Sequence, residues 1–433
     1  MVRLLLLSDI HFLSLAKEMD QHSYVRDCFI TDLKDYVAQY GSINHILVSG
    51  DIASKGDSCE YDSAFDFFDL VSKAAGCNME NIYIIPGNHD KNFSAERSQL
   101  RHIVNAGLSY TSNKENTPDL FYELITSDAD ALRMLYTPFQ EYYKLALKMD
   151  SYESLMQQCL DNKDFNYNPK NHQAYYKKEL GCIDNYKIYL YGMNSCLNCD
   201  WYDENDFGKG HKMFLPKLTY NIPVETEGCI NISMMHHPLD KILNGESIAK
   251  IFDKKFHIQI FGHLHRPVSD GKTTVHIQSG ALQPPIDEND KSEAYFSTYN
   301  IVELYISPET KDVLHVKLRV EKFNKIEERF EELDSECHDF NVPLKKHNSR
   351  WEKQYVKNKK QVEIFPDNVS IRQIRLSFLQ YPTRRNLIQE LDEYDENKSL
   401  NENCILFLKK MEDKGKLVEL WNKLFHYITR NFP

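Results

Sequence analysis

Apolar residues follow two different patterns over the first 90 positions. Leu4 to Ser8 is a short continuous apolar run, and His45 to Ser49 and Tyr83 to Ile85 resemble it. Between these runs, Ser23 to Gln39 carries Val25, Phe29, Leu33 and Val37 at helical spacing, and Tyr61 to Ala75 places Ala64, Phe65, Phe68 and Val71 on one face. Continuous runs predict strands buried on both faces, and apolar stripes predict the helices that cover them. The order strand, helix, strand, helix, strand predicts an α/β core with a parallel sheet. Ligands of such sheets bind beyond the carboxyl ends of the strands.

Residues 91–183 break this pattern. They are rich in Tyr, Asn, Lys and Asp, with helical periodicity near Ser127 to Lys148 and no strong strand before Lys187 to Gly192. An insertion of that size predicts a cap, a lid or a tethered subdomain. Strands resume at Ile230 to Met235, Ile258 to Phe261 and Thr274 to Gln278. Phe296 to Ile306 and Val313 to Phe323 then read as a hairpin turning at Pro308-Glu309-Thr310. Lys345, Lys346, Arg350, Lys353, Lys357, Lys359 and Lys360 crowd into sixteen residues, as a solvated linker or as an anion- or partner-binding segment. From Ser370 the pattern is helical, with a stripe of Ile371, Ile374 and Phe378. Thr383 caps a second helix, Ser399 and Glu402 form a capping box, and Gly415 suits a helix end. Leu417, Leu420, Trp421, Leu424 and Ile428 line the last helix. The expected organisation is a catalytic region over 1–325, a basic linker over 326–365 and a small helical bundle over 366–433.

Composition narrows the function without naming it. The 433 residues are 42% hydrophobic and 27% charged, which describes a globular protein. Lys and Arg total 52 against 64 for Asp and Glu, a net charge of −12 that argues against a duplex-coating basic surface. The ten cysteines are scattered, which argues against a secreted disulfide framework. Only Cys196 and Cys199 have C-x-x-C spacing, and without a second pair this is a weak zinc signal. Leu4 to Leu7 is far too short for a signal peptide, and no stretch approaches a membrane span, so a cytoplasmic setting is expected.

Five segments share one arrangement: each follows an apolar strand and carries hard oxygen or imidazole ligands. They are Asp9-Ile10-His11, Gly50-Asp51, Gly87-Asn88-His89-Asp90, His236-His237-Pro238 and Gly262-His263-Leu264-His265. A sheet would gather all five at one edge. His with Asp and Asn oxygens suits divalent Mn, Fe, Zn or Ni rather than a thiolate site. Seven ligands exceed one tetrahedral ion and suit two ions about 3.5–4 Å apart that share a carboxylate.

With these motifs (D-x-H, G-D, G-N-H-D, H and G-H-x-H), the chain resembles the calcineurin-like metallophosphoesterase superfamily over about residues 1–325. Ser54 to Tyr61 and Gly192-Met193-Asn194-Ser195 resemble further family segments. The resemblance implies a four-layer α-β-β-α sandwich of mixed sheets. It implies that one ion takes Asp9, His11, Asp51 and His265, and the other takes Asp51, Asn88, His236 and His263. It also implies a metal-bridging hydroxide that attacks phosphorus, His89 as the proton donor to the leaving oxygen, and Asp90 as the carboxylate that orients His89. His237 is placed behind the ligands, with a swapped assignment to His236 left open. A phosphodiesterase or phosphatase for a small nucleotide or similar phosphate ester is expected, and the His-His-Pro element, which resembles the cyclic-nucleotide phosphodiesterase branch, favours the phosphodiesterase. A nuclease is the alternative, supported by the basic run and by Arg97, Arg101 and His102. Tyr381-Pro382-Thr383 and Gly415-Lys416-Leu417 with Leu420 resemble the helical effector-associated domains of bacterial conflict systems, which recruit a protein partner.

Overall fold

His45–Val48, Ile82–Ile84, Cys229–Met235 and Ile258–Phe261 are buried along their whole length, as continuous apolar runs predict. Three of them lie inside one of two sheets, and Ile82–Ile84 is the edge strand of the first. The computed structural model describes residues 1–13, 23–92, 129–161, 172–199, 213–284, 296–310, 312–344, 378, 388–389, 400–413 and 420. Two compact units divide the chain, Met1–His347 and Asn348–Pro433.

In the first unit the chain runs β1 (Val2–Leu7), α1 (Ser23–Tyr40), β2 (His45–Val48), α2 (Ser58–Ala75) and β3 (Ile82–Ile84). Three helices follow: α3 (Ala129–Tyr136), α4 (Gln140–Lys148) and α5 (Ser154–Asp161). Then come β4 (Tyr175–Ile183), β5 (Tyr186–Met193), β6 (Cys229–Met235), α6 (Gly245–Lys255), β7 (Ile258–Phe261), β8 (Val268–Gly271) and β9 (Val275–Gln278). The last strands are β10 (Thr298–Ile306), β11 (Val313–Asn324), β12 (Arg329–Glu332) and β13 (His338–Pro343).

The first sheet has the order β12-β11-β10-β1-β2-β3, with β13 also paired to β11; the second has the order β4-β5-β6-β7-β9-β8. Pairing is parallel at the motif-bearing strands β1–β2–β3 and β5–β6–β7–β9. It is antiparallel where β10 meets β1 and where β4 and β8 close the second sheet. The parallel sheet read from the first 90 residues is therefore a mixed one, because the hairpin β10–β11 returns to flank β1. Phe29 of α1 packs edge-on against Tyr299 of β10, and Phe67 of α2 packs against Phe12. Phe256, just after α6, packs on Tyr191 of β5. His45 of β2 bonds the Leu180 carbonyl of β4 at 2.7 Å, and Tyr176 of β4 donates to the Ile84 carbonyl at 2.9 Å, which ties the sheets together. The layers run helix, sheet, sheet, helix.

Three sequence readings change. Helix α2 starts at Ser58 rather than Tyr61, because the Glu60 carboxylate accepts the Asp57 backbone N–H and closes a first turn before the apolar stripe begins. Strand β4 lies inside the segment read as an insertion without strands. It is an edge strand broken by a bulge near Gly181, so its alternation is blurred. Residues 329–343, read as the start of a linker, are two strands of the first sheet whose half-exposed edge residues leave no apolar run.

In the second unit, helix α7 (Leu400–Asp413) buries Cys404, Phe407 and Met411, and Phe378 stacks on Phe407 with ring centroids 5.1 Å apart. Arg97, Arg101, His102, the basic run from Lys345 to Lys360 and the helix cues at Ile371, Ile374, Tyr381-Pro382-Thr383, Ser399, Gly415-Lys416-Leu417, Trp421, Leu424 and Ile428 lie outside the described residues. No helix among the described residues is long and apolar enough to cross a membrane.

Candidate metal centre

Strands β1, β2, β3, β6 and β7 each end just before one of the five motifs. Their carboxyl ends meet where the two sheets face each other. Short backbone bonds lock the loops together: Asp9 N–H to the Gly50 carbonyl at 3.0 Å, His11 N–H to the Asp51 carbonyl at 3.0 Å, and Gly262 N–H to the His236 carbonyl at 2.9 Å. Two glycines are there because neighbours come too close for a side chain. A Cβ on Gly87 would stand 2.0 Å from Asp51 Oδ1, and one on Gly50, whose φ is 100°, would stand 2.5 Å from His236 Nδ1.

Two groups of ligand atoms result. In the first, one atom each from Asp9, His11, Asp51 and His265 lies within 4.8 Å of the others. His11 Nε2 is 3.9 Å from both Asp9 Oδ1 and Asp51 Oδ2, and His265 Nε2 is 3.0 Å from Asp9 Oδ1. His11 Nε2 is buried without a hydrogen-bond partner. A buried polar atom without a partner is costly, and a cation beside it removes that cost. Burial, the largest influence, pushes His11 down to about 4, so its imidazole is neutral and its lone pair available.

The second group joins one atom each of His236, His237 and His263 within 4.8 Å. His236 Nε2 lies 3.1 Å from Asn88 Oδ1 and 3.3 Å from Asp51 Oδ2, so Asn88 and Asp51 border this group too. Asp51 Oδ2 thus stands between the two groups, the position of a bridging carboxylate. Burial pushes the Asp51 carboxyl up, but the His236, His89 and His11 imidazoles together outweigh it and hold the group well below the carboxylate range. In return, Asp51 overcomes the burial of His236 and raises it to about 9. Burial lowers His263 to about 4, with His236 reinforcing the shift. The donor set and the unpartnered His11 Nε2 fit two divalent cations: Asp9, His11, Asp51 and His265 would hold one, and Asp51, Asn88, His236 and His263 the other.

His89 stands beside this centre, its ring 4.7 Å from that of His11 and its backbone N–H donating to Asp51 Oδ1 at 2.8 Å. The orienting role expected of Asp90 is not what its geometry gives. The Asp90 carboxylate accepts the N–H groups of Gly87, Ile52 and Ala53 and the Tyr61 hydroxyl, at 2.8, 3.2, 2.9 and 3.1 Å. It pins the Gly87 loop to the Asp51 loop, and the Ser54 carbonyl, 3.0 Å from His89 Nδ1, orients His89 instead. Burial raises Asp90 to about 7, the Asp51 charge adds to this, and the three backbone donors oppose it.

Beside the site, Lys91 escaped the sequence reading, and Ser195 entered it only as the end of a family-like segment. Lys91 is fully buried, and its ammonium donates to the carbonyls of Cys196, Leu197 and Cys199 at 3.4, 3.0 and 2.6 Å. Ser195 bonds His237 Nδ1 at 3.0 Å. The position of Lys91 directly after the G-N-H-D motif was the available signal for the first. For Ser195 the signal was the family-like segment Gly192-Met193-Asn194-Ser195, which gave it no role.

The family model for calcineurin-like phosphoesterases matches residues 2–267. The uncharacterized metallophosphoesterase-like protein YydB of Bacillus subtilis (strain 168) is 24% identical over 269 residues, 61% of this chain and 49% of that protein. The chain therefore spans about half the length of this curated relative. Among solved structures, a dimetal phosphatase from Danio rerio is 11% identical, covering 79% of this chain and 99% of its own at a TM-score of 0.35. Purple acid phosphatase PPD1 from yellow lupin (Lupinus luteus) is 12% identical, covering 79% and 53% at a TM-score of 0.38.

Proposed function

Because the chain belongs to the calcineurin-like phosphoesterase family, we propose that it is a two-metal phosphoesterase that cleaves small phosphodiesters. The observation that carries this is Asp51 Oδ2, set between the two groups of convergent ligands. Divalent ions bound there supply Lewis acidity toward the phosphoryl oxygens and toward the attacking water. Mn, Fe, Zn and Ni all suit the donors. The protein's own part is positioning and proton transfer. His89 gives Nδ1–H to the Ser54 carbonyl, which leaves Nε2 to carry a proton to the departing oxygen. Asp90 keeps the Asn88 and His89 loop in register with Asp51.

The His236-His237-Pro238 element favours a diester, and the net charge of −12 favours a small substrate over a nucleic acid. Residues 366–433 are proposed as a module that recruits a protein partner. The test offers Mn²⁺-loaded protein bis-p-nitrophenyl phosphate, p-nitrophenyl phosphate, cyclic nucleotides, and single- and double-stranded DNA. Diester turnover with intact DNA supports the reading, and Asp51→Asn abolishes it. Two bound ions with no hydrolysis of any ester defeat it. Deletion of 366–433 leaves model-ester turnover intact if that segment is a recruiter.

A further inference from the structure

His236 and His237 set two imidazoles side by side, ring centroids 5.1 Å apart, but different groups hold their Nδ1 atoms. His236 Nδ1 lies 2.8 Å from the Ser49 carbonyl. A carbonyl only accepts, so Nδ1 carries a proton, and Nε2 is the nitrogen that faces Asn88 and Asp51, where a bound cation would take the place of its proton. That is the arrangement of a metal-binding histidine.

His237 Nδ1 meets a hydroxyl instead, Ser195 Oγ at 3.0 Å. The same oxygen accepts the His237 backbone N–H, also at 3.0 Å. The hydroxyl proton has two directions to choose from. Cys196 Sγ is 3.8 Å away and a weak acceptor, whereas His237 Nδ1 is closer and stronger. A serine proton directed to Nδ1 places the imidazole's own proton on Nε2. An N–H cannot bind a cation, but it can donate to an anion. The ring lies 4.6 Å from that of His263, at the edge of the second ligand group. Nε2 has no hydrogen bond within the described residues.

Resting on the phosphoesterase reading above, we propose that His237 is a hydrogen-bond donor from Nε2 to a phosphoryl oxygen of the substrate, not a metal ligand. Ser195 is its positioning residue. The turn that carries Ser195 is closed by the Cys199 N–H to the Cys196 carbonyl at 3.1 Å and clamped by the Lys91 ammonium.

The experiment uses the full chain and inorganic phosphate as the probe. His237→Ala is expected to bind two Mn²⁺ per chain, as wild type does, and to bind phosphate about tenfold more weakly, the size of one charge-assisted hydrogen bond. His237→Gln, which keeps a side-chain N–H, is expected to recover most of that loss. It also serves if the alanine variant does not fold. Nitrogen-15 NMR of metal-free protein should show His237 protonated at Nε2 in wild type and a mixture of tautomers in Ser195→Ala. Loss of one Mn²⁺ in either His237 variant overturns the proposal by making His237 a ligand. Unchanged phosphate affinity with both ions present, or a wild-type Nδ1–H tautomer, overturns it equally. Wild-type protein that takes up no Mn²⁺ defeats the phosphoesterase reading itself, and the proposal with it.

Discussion

Asp9, His11, Asp51 and His265 all hold left-handed backbone, with φ of 51°, 51°, 52° and 56°, whereas in the second ligand group His263 alone does, at 76°. His236 and His237 keep ordinary backbone and are aimed by side-chain bonds to Ser49 and Ser195. Left-handed φ costs a residue with a Cβ about 1–2 kcal/mol. It persists here because the loop backbones bond one another tightly, as Asp9 does to Gly50 and His11 to Asp51. One half of the site is thus built wholly on left-handed backbone, the other on it only at His263. Metal-free protein bears the cost of the first half, and bound cation offsets it.

The largest expected effect comes from breaking the carboxylate that both halves share. Gly87→Ala pushes a Cβ onto Asp51 Oδ1 and is expected to lower turnover of bis-p-nitrophenyl phosphate by about 10²–10³-fold, with loss of bound Mn²⁺. Activity within a few fold of wild type would mean that Asp51 is not the bridge. Next comes a contrast of signs in metal-free protein. Asn tolerates left-handed backbone and removes the unpartnered His11 Nε2, so His11→Asn is expected to raise stability by about 1 kcal/mol. His236→Asn loses its bond to Ser49 and its ion pair with Asp51, and is expected to lower stability by about 2 kcal/mol. Urea titrations that move both variants the same way would break the comparison.

The smallest effect is a proton. In metal-free protein His236 is raised to about 9 and so is charged at pH 7.5, whereas His11, lowered to about 4, is neutral. Binding a cation at His236 must expel that proton. Mn²⁺ loading at pH 7.5 is therefore expected to release roughly one proton, and affinity should rise with pH until about 9. Calorimetry in two buffers of different ionisation enthalpy reads the count. His236→Asn should release none.

The five motifs were legible because each joins a continuous apolar strand to a ligand cluster, and both signals are local. The strands that complete the sheets were not. β4 and β13 expose charged residues at sheet edges, and only their partners β5 and β11 make them strands. Asp90 was misread for a related reason. Its place beside His89 in sequence suggested a pair, but its oxygens face backbone N–H groups 37 and 38 residues away and its own loop's Gly87. Chain neighbours share a motif without sharing a bond.

The Lys91 amine sits among three carbonyls of one turn, closed off from solvent. An acylating reagent can reach it only when the loop after β3 and the turn at Cys196–Cys199 part. Its labelling rate, followed by mass spectrometry of the peptide that contains it, is therefore a clock for the parting of these two segments beside the ligand groups. Metal ions that hold the two ligand groups together should slow that clock, with no substrate or turnover needed to read it.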